Sequence, residues 1–372
     1  MKKILIFSSY TGGGHMSLAE SVHDLIRDKY EVVIIDPQPR VLHFHYRMVS
    51  RYAPWLWNTE YKLSDGDRRA KVVHGLIKPT FAIPIWRIIQ RVKPDLILST
   101  YAILTSEVRY AMRLSQMQRP FAMLFSDPEA VHHLWLTEKH THAVFAPTRE
   151  TYEQALRSGF DPKRLHYTGW PVRRQFYHTE LDSRSEVLTR LGLNKERFTI
   201  FLQGGAEGAA RFGRTVENLL GVEGVQIILA TGTNRHLQRY FEKYDNVHPL
   251  PFTRGIARYM AAADVVMGKA GPNMMFEALT LGKPFIATSY IPGQEEVNLE
   301  FIERHGLGWT ALHKGEQHQL IEALVSSPDK MKEKLVSVEK YRNQNMRATE
   351  TIPMLIDQLI NKKETSGVSI PL

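Results

Sequence analysis

The stretch Asp264-Val-Val-Met-Gly-Lys269-Ala-Gly271-Pro272-Asn273-Met274-Met-Phe-Glu277-Ala-Leu-Thr-Leu281-Gly282 decides how the chain folds. Asp264 to Met267 is a short apolar run of strand character, Lys269 to Pro272 is a turn, and Asn273 to Leu281 has helical composition and stops at Gly282. Strand, glycine turn, helix: that order leaves the first N–H groups of the helix, around Asn273 and Met274, without partners and facing an anion. Pro272 fits the first helical turn, where no donor is lost, and Gly271 lets a phosphate approach the backbone. Glu277, about one turn further on, is placed to accept hydrogen bonds from ribose hydroxyls. A second strand, Pro284 to Tyr290, leads to Pro292-Gly-Gln294-Glu295-Glu296-Val-Asn298, a polar loop at the same carboxyl edge, where open α/β sheets bind ligands.

Outward from this stretch the same rhythm recurs in both halves. Lys3 to Ser9 reads as a strand, followed by Thr11-Gly-Gly-Gly14-His15, a helix with Leu18, Val22, Leu25 and Ile26 on one face, and a strand from Glu31 to Asp36. Strands continue at 95–100, 121–126, 143–147 and 166–168, and in the second half at 198–203, 226–232 and 247–252. The second half also opens on a glycine turn, Gly204-Gly205-Ala-Glu207-Gly208. The turn at Gly12 to Gly14 has two readings. With Ser17 and Asp36 it approximates a dinucleotide fingerprint, Asp36 standing for the ribose carboxylate; alternatively it faces a diphosphate, with His15 projecting from the helix start. After 298, helices are expected near 299–305, 315–326 and 329–361.

At 372 residues two domains are the natural division. The chain has no cysteine, which excludes disulfides and thiolate metal sites. Met1-Lys-Lys precedes too few apolar residues for a signal peptide, and no run approaches the length of a membrane span, so the expected location is cytoplasmic, peripheral on the inner face of the plasma membrane. Of the net charge of +9, residues 1–175 carry all of it. A basic half faces nucleic acid, anionic lipid or an acidic substrate. Between Pro39 and Pro84 the alternation stops, and Phe44, Tyr46, Tyr52, Trp55, Trp57, Tyr61 and Phe81 mix with Arg40, Arg47, Arg51, Lys62, Arg68, Arg69, Lys71 and Lys78. That mixture suits the headgroup boundary of a bilayer or the core of a helical subdomain; no nucleic-acid module accompanies it. His132, His133, His140 and His142 raise a zinc reading, without an evident carboxylate partner or helical register. Asp127, ending its strand, reads as a partner for His15 or as a loop anchor.

Lys269-Ala-Gly-Pro, Glu277-Ala, Tyr290-Ile-Pro-Gly-Gln-Glu with Asn298, and Thr11-Gly-Gly-Gly-His with Ala19-Glu20 resemble the signatures of the monogalactosyldiacylglycerol synthase family and its bacterial diacylglycerol glucosyltransferase relatives. Ser126-Asp127, His132 and Trp135 resemble the family's acceptor-side loop, and Gly169-Trp-Pro-Val-Arg173 its linker between domains. The resemblance implies an α/β GT-B fold, two Rossmann-like doubly wound domains facing a cleft, related also to the peptidoglycan N-acetylglucosaminyltransferase. It implies residues 1–170 as the acceptor and membrane-facing domain, 171–350 as the UDP-sugar-binding domain, and 351–372 as a helix and tail crossing back to the first domain. The implied reaction is inverting transfer of glucose or galactose from a UDP-sugar to the hydroxyl of diacylglycerol or a related lipid, at an anionic membrane surface. Another GT-B acceptor, such as a peptidoglycan lipid precursor, or UDP-sugar epimerisation are the alternatives.

His15 is then the general base, suited to the task because a histidine is largely unprotonated at neutral pH, with Asp127 orienting it. Donor-binding positions are Gly14, Gly205, Glu207, Phe252, Lys269, Gly271, Pro272, Asn273, Met274, Glu277, Gln294, Glu295 and Asn298. Acceptor or membrane positions are Trp55, Trp57, Arg68, Arg69, His132 and Trp135. No metal or other cofactor is expected, since the helix start at Asn273 takes a cation's place beside the diphosphate. Three positions depart from the family pattern: Asn273 and Pro251 stand where a glycine is usual, and Met16 where a basic residue is common.

Overall fold

The computed structural model describes residues 1–361 except Gly12, 178–181, 205–208 and Pro328, so Gly205 and Glu207 lie outside the described residues. The chain divides into two compact units: Met1–Arg173 with Pro292–Gln294 and the chain from Asn345 onward, and Arg174–Ile291 with Glu295–Gln344.

In the first unit β1 (Lys3–Phe7), β2 (Glu31–Ile35), β3 (Leu96–Ser99), β4 (Phe121–Leu124), β5 (Ala143–Ala146) and β6 (Leu165–Tyr167) form one parallel sheet in the order β2-β1-β3-β4-β5-β6. Ile4–Phe7, Leu96–Ser99 and Phe121–Leu124 are fully buried, as the near-continuous apolar runs of a sheet covered on both faces must be. The chain leaves β1 for β2 on one side and resumes at β3 on the other. Loops after β1 and β3 therefore diverge, and a crevice opens between their carboxyl ends.

Three helices, Arg40–Tyr52, Pro54–Ser64 and Asp67–Val92, occupy the segment where the sequence alternation stopped. The third runs through Pro79 and Pro84, each of which removes a backbone donor. Burial of its Ala70, His74, Phe81, Ala82, Ile85 and Ile89 holds it helical against the core. His74 Nδ1 lies 2.8 Å from Glu107 Oε1 and its Nε2 3.2 Å from the Leu134 carbonyl oxygen, so a buried polar pair fixes the same face. With 26 residues this helix is long and apolar enough to cross a membrane, by length and composition only. The sequence reading found no such run because the two prolines divide it; the buried face attaches the helix to the sheet unit.

The second unit repeats the plan. Its strands β7 (Phe198–Gln203), β8 (Val225–Gly232), β9 (Val247–Pro251), β10 (Val265–Lys269), β11 (Phe285–Ser289) and β12 (Gly308–Thr310) are parallel in the order β12-β11-β10-β7-β8-β9. Here the chain changes direction between β7 and β10, which puts the crevice beside Gly268 to Gly271. A Cβ on Gly268 would come within 2.4 Å of the Gln203 carbonyl oxygen and 2.2 Å of Met274 Cε, so only glycine permits this approach. Strand β12 was not expected from the sequence: three residues, Gly-Trp-Thr, carry no readable period.

The single helix expected over 329–361 is two, Asp329–Asn345 and Ala348–Asn361. At the break the buried Asn345 side chain forms a reciprocal pair with Trp170, accepting its N–H at 2.7 Å and donating to its carbonyl at 3.0 Å. These bonds replace the helical continuation. The last helix packs in the first unit against the Gly14–Ile26 helix and β3, burying Ile352, Leu355, Ile356 and Ile360. Its Asp357 accepts the Tyr30 hydroxyl at 2.5 Å and pairs with Lys29.

Candidate functional site

In the first unit the crevice between β1 and β3 holds His15. Gly13, in the left-handed region at φ 75°, turns the chain from β1 into the Gly14–Ile26 helix and places the imidazole in that helix's first turn. His15 Nδ1 lies 3.0 Å from the Thr100 carbonyl oxygen, at the end of β3. A carbonyl only accepts, so Nδ1 carries the proton and Nε2 keeps its lone pair. Burial lowers the His15 pKa to about 4, against a smaller opposing effect of the Thr100 bond. The ring is thus a neutral base of fixed tautomer at physiological pH.

Asp127 is not the orienting partner: the Thr100 carbonyl holds that nitrogen. Asp127 is buried after β4, where Ser126 Oγ lies 3.5 Å from its Oδ2 and its charge raises the pKa of Tyr61 in addition to the larger effect of burial. Asp36, the ribose carboxylate of the dinucleotide reading, accepts the N–H groups of Tyr10 at 2.6 Å and Gln38 at 2.8 Å and lies 3.1 Å from His43 Nε2. Its carboxylate is committed to the loop after β1, which removes that reading.

The acceptor-side expectations divide. Trp55 is 70% exposed, Arg68 and Arg69 are exposed, and Phe44, Tyr52, Leu63, Val72 and Leu76 are exposed with them. Trp57 is partly buried, edge-on to Tyr46 with centroids 5.0 Å apart. Trp135 is fully buried, 5.4 Å from the Phe125 ring, so it belongs to the core and not to an acceptor or membrane surface. His132 is buried too; its Nδ1 accepts the Leu134 N–H at 3.1 Å and caps the short His133–Leu136 helix, leaving Nε2–H for the Tyr61 carbonyl at 3.3 Å. His133 instead donates to Asp65 from its backbone N–H, at 3.0 Å, and faces it with Nδ1 at 2.6 Å. That occupies one end of Asp65-Gly-Asp67, which has Asp-x-Asp spacing. His142 Nδ1 accepts the Phe121 N–H at 3.1 Å. Among the described residues no three His, Cys, Asp or Glu side chains converge as a metal site.

In the second unit the Pro272–Thr280 helix starts from Gly271, which offers no capping side chain, with Pro272 in its first turn. Lys269 pairs with Glu295, and Glu295 Oε2 also accepts the Ile291 N–H at 2.9 Å. Glu295 is therefore the brace of the 291–298 loop, its carboxylate spent within the protein instead of held out to sugar hydroxyls. Asn298 donates from Nδ2 to the Ala270 carbonyl at 2.8 Å, while its buried Oδ1 has no hydrogen-bond partner among the described residues. Glu277 is 5% exposed. Phe252, past the end of β9, is 71% exposed, its backbone held by a bond from its N–H to the Gly232 carbonyl at 2.9 Å.

Two family models match the chain. Residues 15–172 match the monogalactosyldiacylglycerol (MGDG) synthase family, and residues 199–359 match the glycosyltransferase family 28 C-terminal domain. The chain is a GT-B glycosyltransferase related to the MGDG synthases. It is 25% identical over 336 residues to monogalactosyldiacylglycerol synthase 3 of Arabidopsis thaliana, covering 83% of this chain and 71% of that one. A probable monogalactosyldiacylglycerol synthase 2 of Oryza sativa subsp. japonica is 26% identical over 339 residues, covering 82% and 70%. Among solved structures, S. aureus MnaA in its UDP co-structure superimposes with a TM-score of 0.64 at 13% identity over all of both chains. Acinetobacter baumannii MurG does so at 0.62 and 16%, covering 96% of this chain and all of that one. At these identities the two structures speak for the GT-B fold alone.

Thr100 and Tyr101, which frame His15, escaped the sequence reading. Their signal was positional: they follow β3, whose place beside β1 emerges only from the strand order.

Proposed function

We propose that this glycosyltransferase moves a hexose, glucose or galactose, from a UDP-sugar to the hydroxyl of diacylglycerol or a related lipid, with inversion. The observation that carries the reading is the His15 imidazole held at Nδ1 by the Thr100 carbonyl, which leaves Nε2 as the nitrogen with a lone pair. Nε2 takes the proton of the lipid hydroxyl as the oxygen attacks the anomeric carbon from the face opposite the diphosphate. The bond from that carbon to the diphosphate breaks, and UDP departs with the electron pair. In the second unit the uncapped start of the Pro272–Thr280 helix suits the charge that grows on a diphosphate. Asn298 Oδ1 and Glu277 offer acceptors to hydroxyls of the donor, and exposed Phe252 a face for the uracil ring. A lipid acceptor is supported by the MGDG synthase relatives, and a UDP donor agrees with the UDP held by MnaA, which shares the fold.

The direct test incubates the protein with diacylglycerol vesicles and single UDP-sugars and reads the lipids by mass spectrometry. A mass gain of one hexose from UDP-glucose or UDP-galactose is the expected product, undiminished by EDTA because no metal enters the proposal. Release of UDP without any glycolipid would defeat the lipid assignment.

The acceptor places the protein at a membrane. The exposed apolar residues of the 40–92 helices, Trp55, Phe44, Val72 and Leu76, stand among Arg68, Arg69, Lys71 and Lys78, the composition of a surface that meets anionic headgroups. Flotation with phosphatidylcholine vesicles containing phosphatidylglycerol is expected to carry the protein up, and Trp55→Ala with Arg68→Gln to reduce the bound fraction. Raising salt weakens the binding as the charges are screened. Equal binding to purely zwitterionic vesicles would contradict the anionic-surface reading.

A further inference from the structure

Beside His15 lies a polar assembly that the proposed chemistry does not use. The Tyr101 ring meets the imidazole edge-on, centroids 4.7 Å apart at 64°. The side chains of Thr11, Ser9 and Gln38 converge on its hydroxyl. These are themselves linked: Ser9 Oγ and Thr11 Oγ1 are 2.6 Å apart, and Gln38 donates to Ser9 Oγ at 2.5 Å. Thr11 precedes the glycine turn, Gln38 follows β2, and Tyr101 follows β3, so one hydroxyl gathers three loops at the carboxyl edge of the sheet.

We propose that Tyr101 is the positioning residue of His15: its ring presses the imidazole onto the Thr100 carbonyl, and its hydroxyl anchors the start of the glycine turn that carries the histidine. The inference rests on His15 as the base. Two restraints act on the ring, an acceptor for Nδ1–H and an aromatic contact, which together leave one tautomer and one orientation. The aromatic edge also excludes water, the cause of the depressed His15 pKa. Tyr101 is the titratable group packed against His15, and burial pushes its own pKa up to about 12, so it stays neutral. Asp36 acts on Tyr101 and is paired with His43, and among the described residues no carboxylate contributes to the His15 shift. A phenol with a purely structural role would not set the protonation of its neighbour.

The test is histidine ¹⁵N NMR on the full chain, alongside the pH dependence of kcat/KM. In the wild type His15 is expected to stay neutral as the Nδ1–H tautomer down to about pH 5. Tyr101→Ala should move its titration up toward 6.5 and mix the tautomers, with the acid limb of kcat/KM rising by the same amount and turnover falling about 100-fold from misalignment. Tyr101→Phe retains the ring and should retain the low titration. Tyr101→Leu serves if the alanine variant fails to fold. An unchanged titration and tautomer in Tyr101→Ala or Tyr101→Leu would overturn the positioning role. A titration that moves while the activity profile stays fixed would keep the contact and remove His15 as the base, so the two failures are distinguishable.

Discussion

His15→Gln is expected to lower kcat for lipid glycosylation by about 10²- to 10⁴-fold, the usual range for loss of a positioned general base, with UDP affinity nearly unchanged. Glutamine still offers an N–H to the Thr100 carbonyl that holds Nδ1 in the wild type, so the crevice between β1 and β3 should survive while the proton acceptor is gone. The binding half is read by calorimetry with UDP and the chemical half by single-turnover kinetics. Turnover equal to wild type would end the assignment. The same variant carries a pH signature. An unfolded histidine binds its proton near 6.5, whereas folded His15 does so near 4, so its contribution to stability is full above pH 6.5 and is lost as pH falls toward 4. At pH 5 the wild type should therefore have given up about 2 kcal/mol that His15→Gln does not lose, and thermal melts at pH 7.5 and pH 5 would show the gap closing in the variant.

Trp135→Ala is expected to destabilise the first unit by about 3 to 5 kcal/mol, the cost of removing a large aromatic from a closed core. Its side chain is fully buried and packs edge-on to Phe125, which in turn faces Phe160 at 6.3 Å. The milder Trp135→Phe should leave vesicle binding unaltered, whereas Trp55→Ala, which touches only the exposed face of the Pro54–Ser64 helix, should reduce vesicle binding with little change in melting temperature. Denaturant unfolding and flotation on the same preparations check the contrast. A Trp135→Ala protein with wild-type stability that no longer floats would restore the surface role expected from the sequence.

The strand and helix plan was legible because parallel strands announce themselves as apolar runs and glycine turns mark where each meets a helix. The helix read over Asn273 to Leu281 lies at Pro272–Thr280, within a residue at either end, whereas the strand before it runs two residues past Met267, to Lys269. The Asp67–Val92 helix was not legible, since local rules break it at Pro79 and Pro84 and only burial of Phe81, Ile85 and Ile89 explains its continuity. The break at Met346 was hidden for the opposite reason: nothing near Asn345 in sequence signals a stop, and the cause is Trp170, far away along the chain. Side-chain type did not foretell burial. His15 reads as a base from its motif, but Trp135, His132 and Glu295 have the composition of a binding surface and the environment of a core or a brace. Which carboxylate or carbonyl meets an imidazole depends on strand order, and Thr100 reaches His15 because β3 lies beside β1.

The last helix, from Ala348 to Asn361, completes the unit to which the first strand belongs. During synthesis the amino-terminal sheet therefore emerges long before the segment that covers the Gly14–Ile26 helix, and it must wait, partly bare, while the entire second unit is translated. Ribosomes that stop near residue 340 would release a chain whose damage lies at its beginning, and quality-control proteases would meet the uncovered face of the Gly14–Ile26 helix there.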